Sequence, residues 1–72
     1  MSPLETFAIT VGETAGAIWQ LLDERGPITM TQIIQEIDAP RDQIMQSIGW
    51  LAREEKLTVR KEGRRKTVTL LE

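Results

Sequence analysis

The spacing of the apolar residues changes once along this chain, close to Lys56, and this change constrains the fold more than any other feature. Before Lys56 the apolar residues recur at intervals of three and four, which is the period of an amphipathic helix. Beyond it, Leu57 and Val59 and then residues 67–71 follow the alternating, β-branched pattern of strands. The sequence therefore predicts an α+β fold in which the helices precede a pair of strands.

The composition limits the chain to one small domain and removes most kinds of catalytic site. The chain has 72 residues, and a domain of this size buries only about 60% of its unfolded surface. Cysteine and histidine are absent, so there is no disulfide, no thiolate ligand and no histidine base. No glycine-rich phosphate loop or metal-spaced ligand set is present. We therefore expect a binding protein rather than an enzyme, with no cofactor and no metal.

The chain also lacks the sequence features of a membrane or secreted protein. No apolar run approaches the ~20 residues of a membrane span, and the amino terminus does not resemble a signal peptide. We expect a soluble, cytoplasmic protein that makes no membrane contact.

Capping patterns predict where the first helix begins and ends. Thr10 and Glu13 have the spacing of a capping box, and Gly26-Pro27 is typical of a helix end. Residues 1–9 show no clear period, so we expect a loosely ordered arm there and a folded domain over residues 10–72. The predicted core stripe of this helix is Val11, Ala15, Ile18, Trp19 and Leu22.

Two further helices follow a short bridge of extended chain at Pro27-Ile28-Thr29. Thr29 and Gln32 form a second capping box, and the apolar face behind it consists of Met30, Ile33, Ile34 and Ile37. A third helix is predicted from about Pro40 to Glu55, with a core stripe of Ile44, Ile48, Leu51 and Ala52.

The last segment predicts a β-hairpin that turns at Glu62-Gly63-Arg64-Arg65. An isolated hairpin is marginal in water, so this one must lie on the helices. Three helices followed by a two-stranded antiparallel hairpin is the element order of the winged helix-turn-helix fold. The second and third helices form the helix-turn-helix, and the hairpin is the wing.

Two stretches also carry a family resemblance, Ala15-Gly16-Ala17-Ile18-Trp19 and, more specifically, Gly49-Trp50-Leu51-Ala52-Arg53-Glu54. The chain resembles the small stand-alone winged helix-turn-helix family of bacteria and archaea, whose function is unknown, from about Val11 to Leu71. The resemblance implies the fold and a DNA-binding or regulatory role, without an established ligand. The sequence departs from the common winged-helix pattern at Glu54-Glu55-Lys56, where glycine usually ends the third helix. Either a non-glycine residue takes the left-handed cap there, or the helix runs slightly longer.

The charge distribution favours the hairpin as a nucleic-acid contact, although the chain as a whole is acidic (net charge −2). Up to Pro40 there are six acidic residues against one arginine, whereas residues 53–66 carry seven basic residues against three acidic ones. Basic tips suit phosphates or a narrow minor groove. The alternative is a charged tip that only prevents edge-to-edge strand pairing. The candidate residues on the wing are Arg60, Lys61, Arg64, Arg65 and Lys66.

The solvent face of the third helix supplies a weaker set of candidates. Arg41, Gln43, Gln46 and Arg53 have side chains that pair with base edges or phosphates, whereas Asp42 is unsuited to a phosphate surface. An ordinary polar helix face is an equally good interpretation. Trp50 is an interface candidate, with packing under the wing or against the first helix as the simpler alternative. Gly49 and Gly16 suggest a close approach by another helix or by a partner.

Two functions follow from these observations. The first is a DNA-binding winged-helix protein of the transcription-regulator type, which binds double-stranded DNA and forms a homodimer because symmetric operators are met by symmetric dimers. In it the wing arginines contact phosphates and the third helix lies at the major groove. The second is a protein–protein interaction module that uses the winged helix only as a scaffold, which the bulk acidity and Asp42 favour. The fold by itself does not decide between them.

Overall fold

Six elements of secondary structure follow one another in the order expected for a helical domain with a wing. A computed structural model describes residues 3–71, with side chains described from Thr6 onward. Three helices precede the hairpin, and a short strand lies between the first two helices. The elements are α1 (Pro3–Arg25), β1 (Ile28–Thr29), α2 (Met30–Glu36), α3 (Arg41–Arg53), β2 (Leu57–Glu62) and β3 (Arg65–Leu70).

The first helix begins seven residues earlier than the capping pattern predicts. Residues 3–9 are helical, so the expectation of a loosely ordered arm is wrong for them, and residues 1 and 2 lie outside the described part. The Thr10 hydroxyl does not cap a helix start but donates to the Thr6 carbonyl one turn back, at 2.9 Å. A proline in the first turn removes an N–H that has no helical partner, so Pro3 is compatible with this start. None of the described helices, α1 included, combines the length and apolarity needed to cross a bilayer.

The helix-turn-helix forms as the second capping box predicts. The Thr29 hydroxyl accepts from the Gln32 amide at 3.1 Å, and the Gln32 side chain accepts from the Thr29 amide at 2.9 Å. The backbone N–H groups of Thr29 and Gln32, which have no partner within the helix, are therefore both hydrogen-bonded. These bonds fix the start of a helix of only seven residues. Residues 37–40 then connect α2 to α3, and Pro40 occupies the position before the first helical residue.

The third helix ends in a left-handed turn at a residue that is not glycine. Glu55 has φ of 59°, its amide donates to the Ala52 carbonyl, and the Lys56 amide donates to the Leu51 carbonyl. These two bonds form a Schellman motif, in which the left-handed position normally belongs to glycine. The sequence left two outcomes open at Glu54-Glu55-Lys56, a left-handed cap at a non-glycine residue or a longer helix. The structure has the left-handed cap, at Glu55.

Replacing Glu55 with glycine is therefore expected to stabilise the protein. A side chain in the left-handed region costs about 1–2 kcal/mol, and glycine removes this cost. Part of the stability gained in this way is lost because glycine has the greater conformational entropy in the unfolded chain. We expect a net gain of about 1 kcal/mol, seen as a rise in melting temperature of about 4–8 °C by circular dichroism. Glu54→Gly is the matched control, because it removes the same charge at φ −83° and offers no such relief. Equal effects of the two substitutions would contradict the explanation.

The wing belongs to a three-stranded sheet rather than to an isolated hairpin. Strand β3 lies in the middle, paired antiparallel with β2 on one side and with β1 on the other, where Ile28 pairs with Val68. The extended bridge predicted before α2 is thus also an edge strand. Two residues are too few to show a strand period, so only the pairing with β3 reveals it.

One apolar core lies between the three helices and the sheet. It contains Ala15, Ile18 and Leu22 of α1, Ile28 of β1, Met30 and Ile33 of α2, Ile44, Ile48 and Leu51 of α3, and Leu57 and Val68 of the wing. Val11, which was also predicted for the core, is half-buried and lies outside it, and two further predicted core residues, Trp19 and Ala52, are exposed. Trp19 and Ala52 are at the edges of the apolar stripes of their helices, where the helix surface no longer faces the neighbouring elements.

Two polar contacts set the register of α1 against α3. The Gln43 side-chain amide donates to the Thr14 hydroxyl at 2.7 Å. The hydroxyl of Ser47, which is fully buried, lies within hydrogen-bond distance of the carbonyls of Gln43 (2.8 Å) and Val11 (3.2 Å). Position 43 thus meets position 14 and position 47 meets position 11, so the two helices run antiparallel.

Candidate nucleic-acid interface

A tight turn brings the basic residues to the end of the hairpin. Glu62 pairs with Arg65, which leaves a two-residue loop of Gly63 and Arg64. Gly63 has φ of 62°, and Arg64 has negative φ, which is the pattern of a type II′ turn. The primed turn matches the twist of the strands, so the Arg64 side chain extends from the outermost point of the wing.

The core-facing side of the hairpin changes from apolar to basic along its length. The cross-strand pairs Leu57–Leu70 and Val59–Val68 share this face with the pair Lys61–Lys66. The first two pairs pack on the helices, whereas both lysines are exposed beyond the core. Like charges directly opposite each other repel. An anion bound between them would relieve this repulsion.

An open groove of about 850 Å³ separates the tip of the wing from the helix-turn-helix. Four cationic residues line it, and no acidic residue does. Apolar side chains of α2 and α3 and the polar side chains of α2 complete the lining. The lining residues are Thr29, Met30, Thr31, Gln32, Ile34, Gln35, Arg41, Met45, Arg64, Arg65 and Lys66.

The four cations of this basic groove, Arg41, Arg64, Arg65 and Lys66, are exposed and have no counterion among the side chains of residues 6–71. Within residues 6–71 the one ion pair joins Arg25 to Glu36, which links the ends of α1 and α2. A groove of this size holds several phosphate groups rather than a single anion. The arrangement can therefore neutralise a stretch of polyanion without first breaking salt bridges of its own.

The remaining candidates on α3 separate into two groups. Gln46 and Arg53 are exposed and seven residues apart, so they share the outward face of the helix with Asp42. Gln43 is half buried, and its amide is engaged by Thr14 in the seam between α1 and α3. One amide hydrogen of Gln43 thus has an internal partner, which leaves one N–H and the side-chain oxygen for another contact, and its contact with a base edge stays a prediction.

The last two wing candidates, Arg60 and Lys61, are exposed on β2 but do not line the groove. Sequence reasoning missed Thr31 and Gln35, which do line it. Their spacing of four on α2, opposite Met30 and Ile33, is a signal that could have identified them as neighbours on one polar face.

Trp50 is half exposed (48%) and makes no hydrogen bond to any other described side chain. The expected hydrogen bond from the indole N–H to a carbonyl is therefore absent among the described residues, and the role of Trp50 as an interface residue stays a prediction. The register of α1 against α3 brings Phe7, which is 54% exposed, to the same level of the helix pair as Trp50. Gly16 and Gly49 have open space where a Cβ would lie, so no close approach by another described residue explains either of them.

A second hollow in the domain is lined by acidic residues. This smaller hollow of about 450 Å³ lies between α1 and the turn that leads into α3, and it is lined by Glu13, Glu36 and Asp38 without any basic residue. Among the described residues no group of three or more potential metal ligands converges there or elsewhere. The charge asymmetry of the sequence therefore appears in the fold as an acidic hollow that is distinct from the basic groove.

A helix-turn-helix that packs against a basic two-stranded wing defines a winged helix-turn-helix domain. Comparison with known proteins agrees with this class and identifies the family. The chain belongs to the winged helix-turn-helix domain family DUF2582, whose model matches residues 6–70. The matched region begins before residue 10, in agreement with the early start of α1.

Two known proteins illustrate the likeness. An uncharacterised protein of Methanocaldococcus jannaschii, MJ1608, is 34% identical over 62 residues, which is 83% of this chain and 89% of that protein. The structure of HlyU from Vibrio cholerae superimposes with a TM-score of 0.66 at 18% identity, covering all of this chain and 83% of the other. The second likeness is one of fold alone.

Proposed function

We propose that this protein binds double-stranded DNA and acts as a regulator of the transcription-factor type. The observation that supports the proposal is the basic groove, which is lined by four cations and no acidic residue, and whose cations have no ion-pair partner in the described part of the chain. Phosphate contacts supply most of the affinity of a small DNA-binding domain. In this proposal the phosphate backbone of one strand follows the basic groove.

The outward face of α3 would then lie against the major groove. Gln46 is able to pair with an adenine edge, and Arg53 reaches a phosphate or a guanine. Asp42 on the same face is tolerated only where it accepts a hydrogen bond from a cytosine amino group, since it repels phosphate. Arg60 and Lys61 extend the positive surface along the outer wing. Base specificity is accordingly expected to be weaker than the affinity for phosphate.

A salt titration tests the proposal directly. Binding of a labelled duplex of about 20 base pairs is followed by fluorescence anisotropy at several salt concentrations. Four phosphate contacts predict that log K falls with log salt with a slope of about −3.6. A single-stranded oligonucleotide of the same length distinguishes duplex binding from attraction to any polyanion. Absence of duplex binding at low salt would overturn the proposal.

The half-exposed pair Phe7 and Trp50 favours a second candidate function, a protein-interaction module. Aromatic side chains that are partly outside a small core often anchor interfaces, and Asp42 makes α3 less suited to DNA. In that case Trp50→Ala would abolish binding of the partner protein, whereas salt and duplex DNA would have little effect. The salt titration therefore also separates the two candidates.

A further inference from the structure

Part of the basic groove is apolar, and the binding of phosphate groups does not account for this part. Met30 and Ile34 line the groove from α2, and Met45 lines it from α3. Ile34 and Met45 are half-buried residues that pack against the core, so the groove exposes the edge of the core to solvent. A DNA backbone is bound mainly through its charge, and charge makes no use of these three side chains.

Cationic and apolar side chains lie close together along this groove. Arg41 and Met45 are four residues apart on α3, which places their Cβ atoms about 5–6 Å apart on one side of the helix. Both line the groove together with Arg64, Arg65 and Lys66 of the wing. A molecule that reaches the charge of Arg41 therefore also lies near the thioether of Met45.

The volume and the lining of the groove suit a small molecule. Its volume of about 850 Å³ falls within the range of about 300–1,000 Å³ that is typical of ligand sites. Such sites combine apolar walls with a few polar or charged groups that orient the ligand. Among the residues that the structure describes, no aromatic side chain lines the groove, so a nucleotide base has no ring on which to stack. The lining favours a flexible apolar chain over a base.

We propose that the basic groove is a binding site for an amphiphilic anion, a molecule with a phosphate or carboxylate head and an unbranched apolar chain. The head binds to the arginines of the groove, since a guanidinium group donates two parallel hydrogen bonds to either kind of head. The chain lies along Ile34 and Met45 and extends the core outward. Methionine suits this role because its flexible, polarisable side chain adapts to the shape that it meets.

This ligand occupies the surface that the proposed function assigns to DNA. The ligand site does not depend on the proposed function, whereas its regulatory consequence rests on it. Where a duplex follows the same groove, the two ligands exclude each other, and the amphiphilic anion releases the protein from DNA. The apolar side chains of the groove then select the effector, because DNA binding makes little use of them.

The proposal is tested by isothermal titration calorimetry with hexyl, octyl and decyl phosphate, each below the concentration at which it forms micelles. Every buried methylene should tighten binding about fourfold, so each step of two methylenes should tighten it on the order of tenfold. Octyltrimethylammonium has the same chain as octyl phosphate but a cationic head, and it should not bind. Inorganic phosphate, which has no chain, should bind more weakly than hexyl phosphate.

Met45→Gln tests the apolar part of the site while all four cations remain. It should weaken the binding of decyl phosphate on the order of tenfold and leave duplex binding unchanged, because it shortens the apolar contact and removes no charge. Leu21→Gln is the matched control, since Leu21 is also helical, half-buried and packed against the core but does not line the groove. Circular dichroism verifies that both variants are folded. In the natural protein, the methyl resonance of Met45 should shift when octyl phosphate is added, a result that depends on no variant.

An affinity that does not increase with chain length, or one that Met45→Gln leaves unchanged, would contradict the proposal. Binding to vesicles of anionic lipid without binding of the monomeric alkyl phosphates would contradict it as well, since the groove would then recognise a membrane surface. The labelled duplex separates this proposal from the proposed function. Duplex binding without alkyl phosphate binding rejects only the ligand site, whereas alkyl phosphate binding without duplex binding supports the ligand site and rejects only the DNA function.

Discussion

Replacing both Arg64 and Arg65 with alanine is expected to weaken binding to duplex DNA on the order of 30-fold at about 0.15 M salt. The two side chains line the basic groove, and neither has a counterion among the described residues. Each phosphate contact contributes about 0.9 to the slope of log K against log salt. The slope should therefore fall from about −3.6 to about −1.8, as measured by anisotropy with the same labelled duplex.

The control for this variant removes the same charge elsewhere. Arg25→Ala with Lys56→Ala takes away two cations, one in an ion pair at the end of α1 and one at the base of the hairpin. Neither residue lines the groove, so affinity and slope should change little. Equal losses in the two double variants would mean that net charge, and not the basic groove, governs binding.

Ile44→Ala is expected to lower the free energy of unfolding by about 2–5 kcal/mol. The Ile44 side chain is fully buried in the shared core, and its truncation leaves a cavity that short helices close only partly. A domain of 72 residues has a total stability of only about 4–11 kcal/mol. The variant should therefore lose a large share of its stability, seen as a lower midpoint in urea denaturation followed by circular dichroism.

Leu71→Ala is the comparison for this core substitution. It removes the same number of carbon atoms from a side chain that is 48% exposed. A surface change of this kind is expected to cost about 0.5 kcal/mol or less. A loss at Leu71 as large as that at Ile44 would contradict the boundaries of the core described above.

The candidate site was predictable in part, because charge is local to the sequence whereas orientation is not. Five basic residues within positions 60–66 indicate a positive hairpin whatever the tertiary structure, and the structure brings Arg64, Arg65 and Lys66 together with Arg41. The role of Gln43 was not predictable. Whether an amide on a helix shoulder faces solvent or a neighbouring threonine depends on how α1 packs against α3.

The same distinction applies to Trp50 and Trp19. Their positions at the margins of apolar stripes leave burial undetermined, since a change of a few tens of degrees in helix orientation moves such a side chain from core to surface. Both indoles are at least 40% exposed in the structure. Sequence reasoning favoured burial for both, and packing decided otherwise.

The amino-acid sequence by itself determined the order of the helices and the hairpin, the capping of α2 by Thr29 and Gln32, and the turn at Gly63. These features depend on interactions between residues a few positions apart, and the sequence contains all of them. Only the tertiary structure decided that Ile28 pairs with Val68 and that Arg41 joins the wing in one groove. Each of these depends on the packing of elements distant in the chain, and many sequences with the same local pattern pack differently.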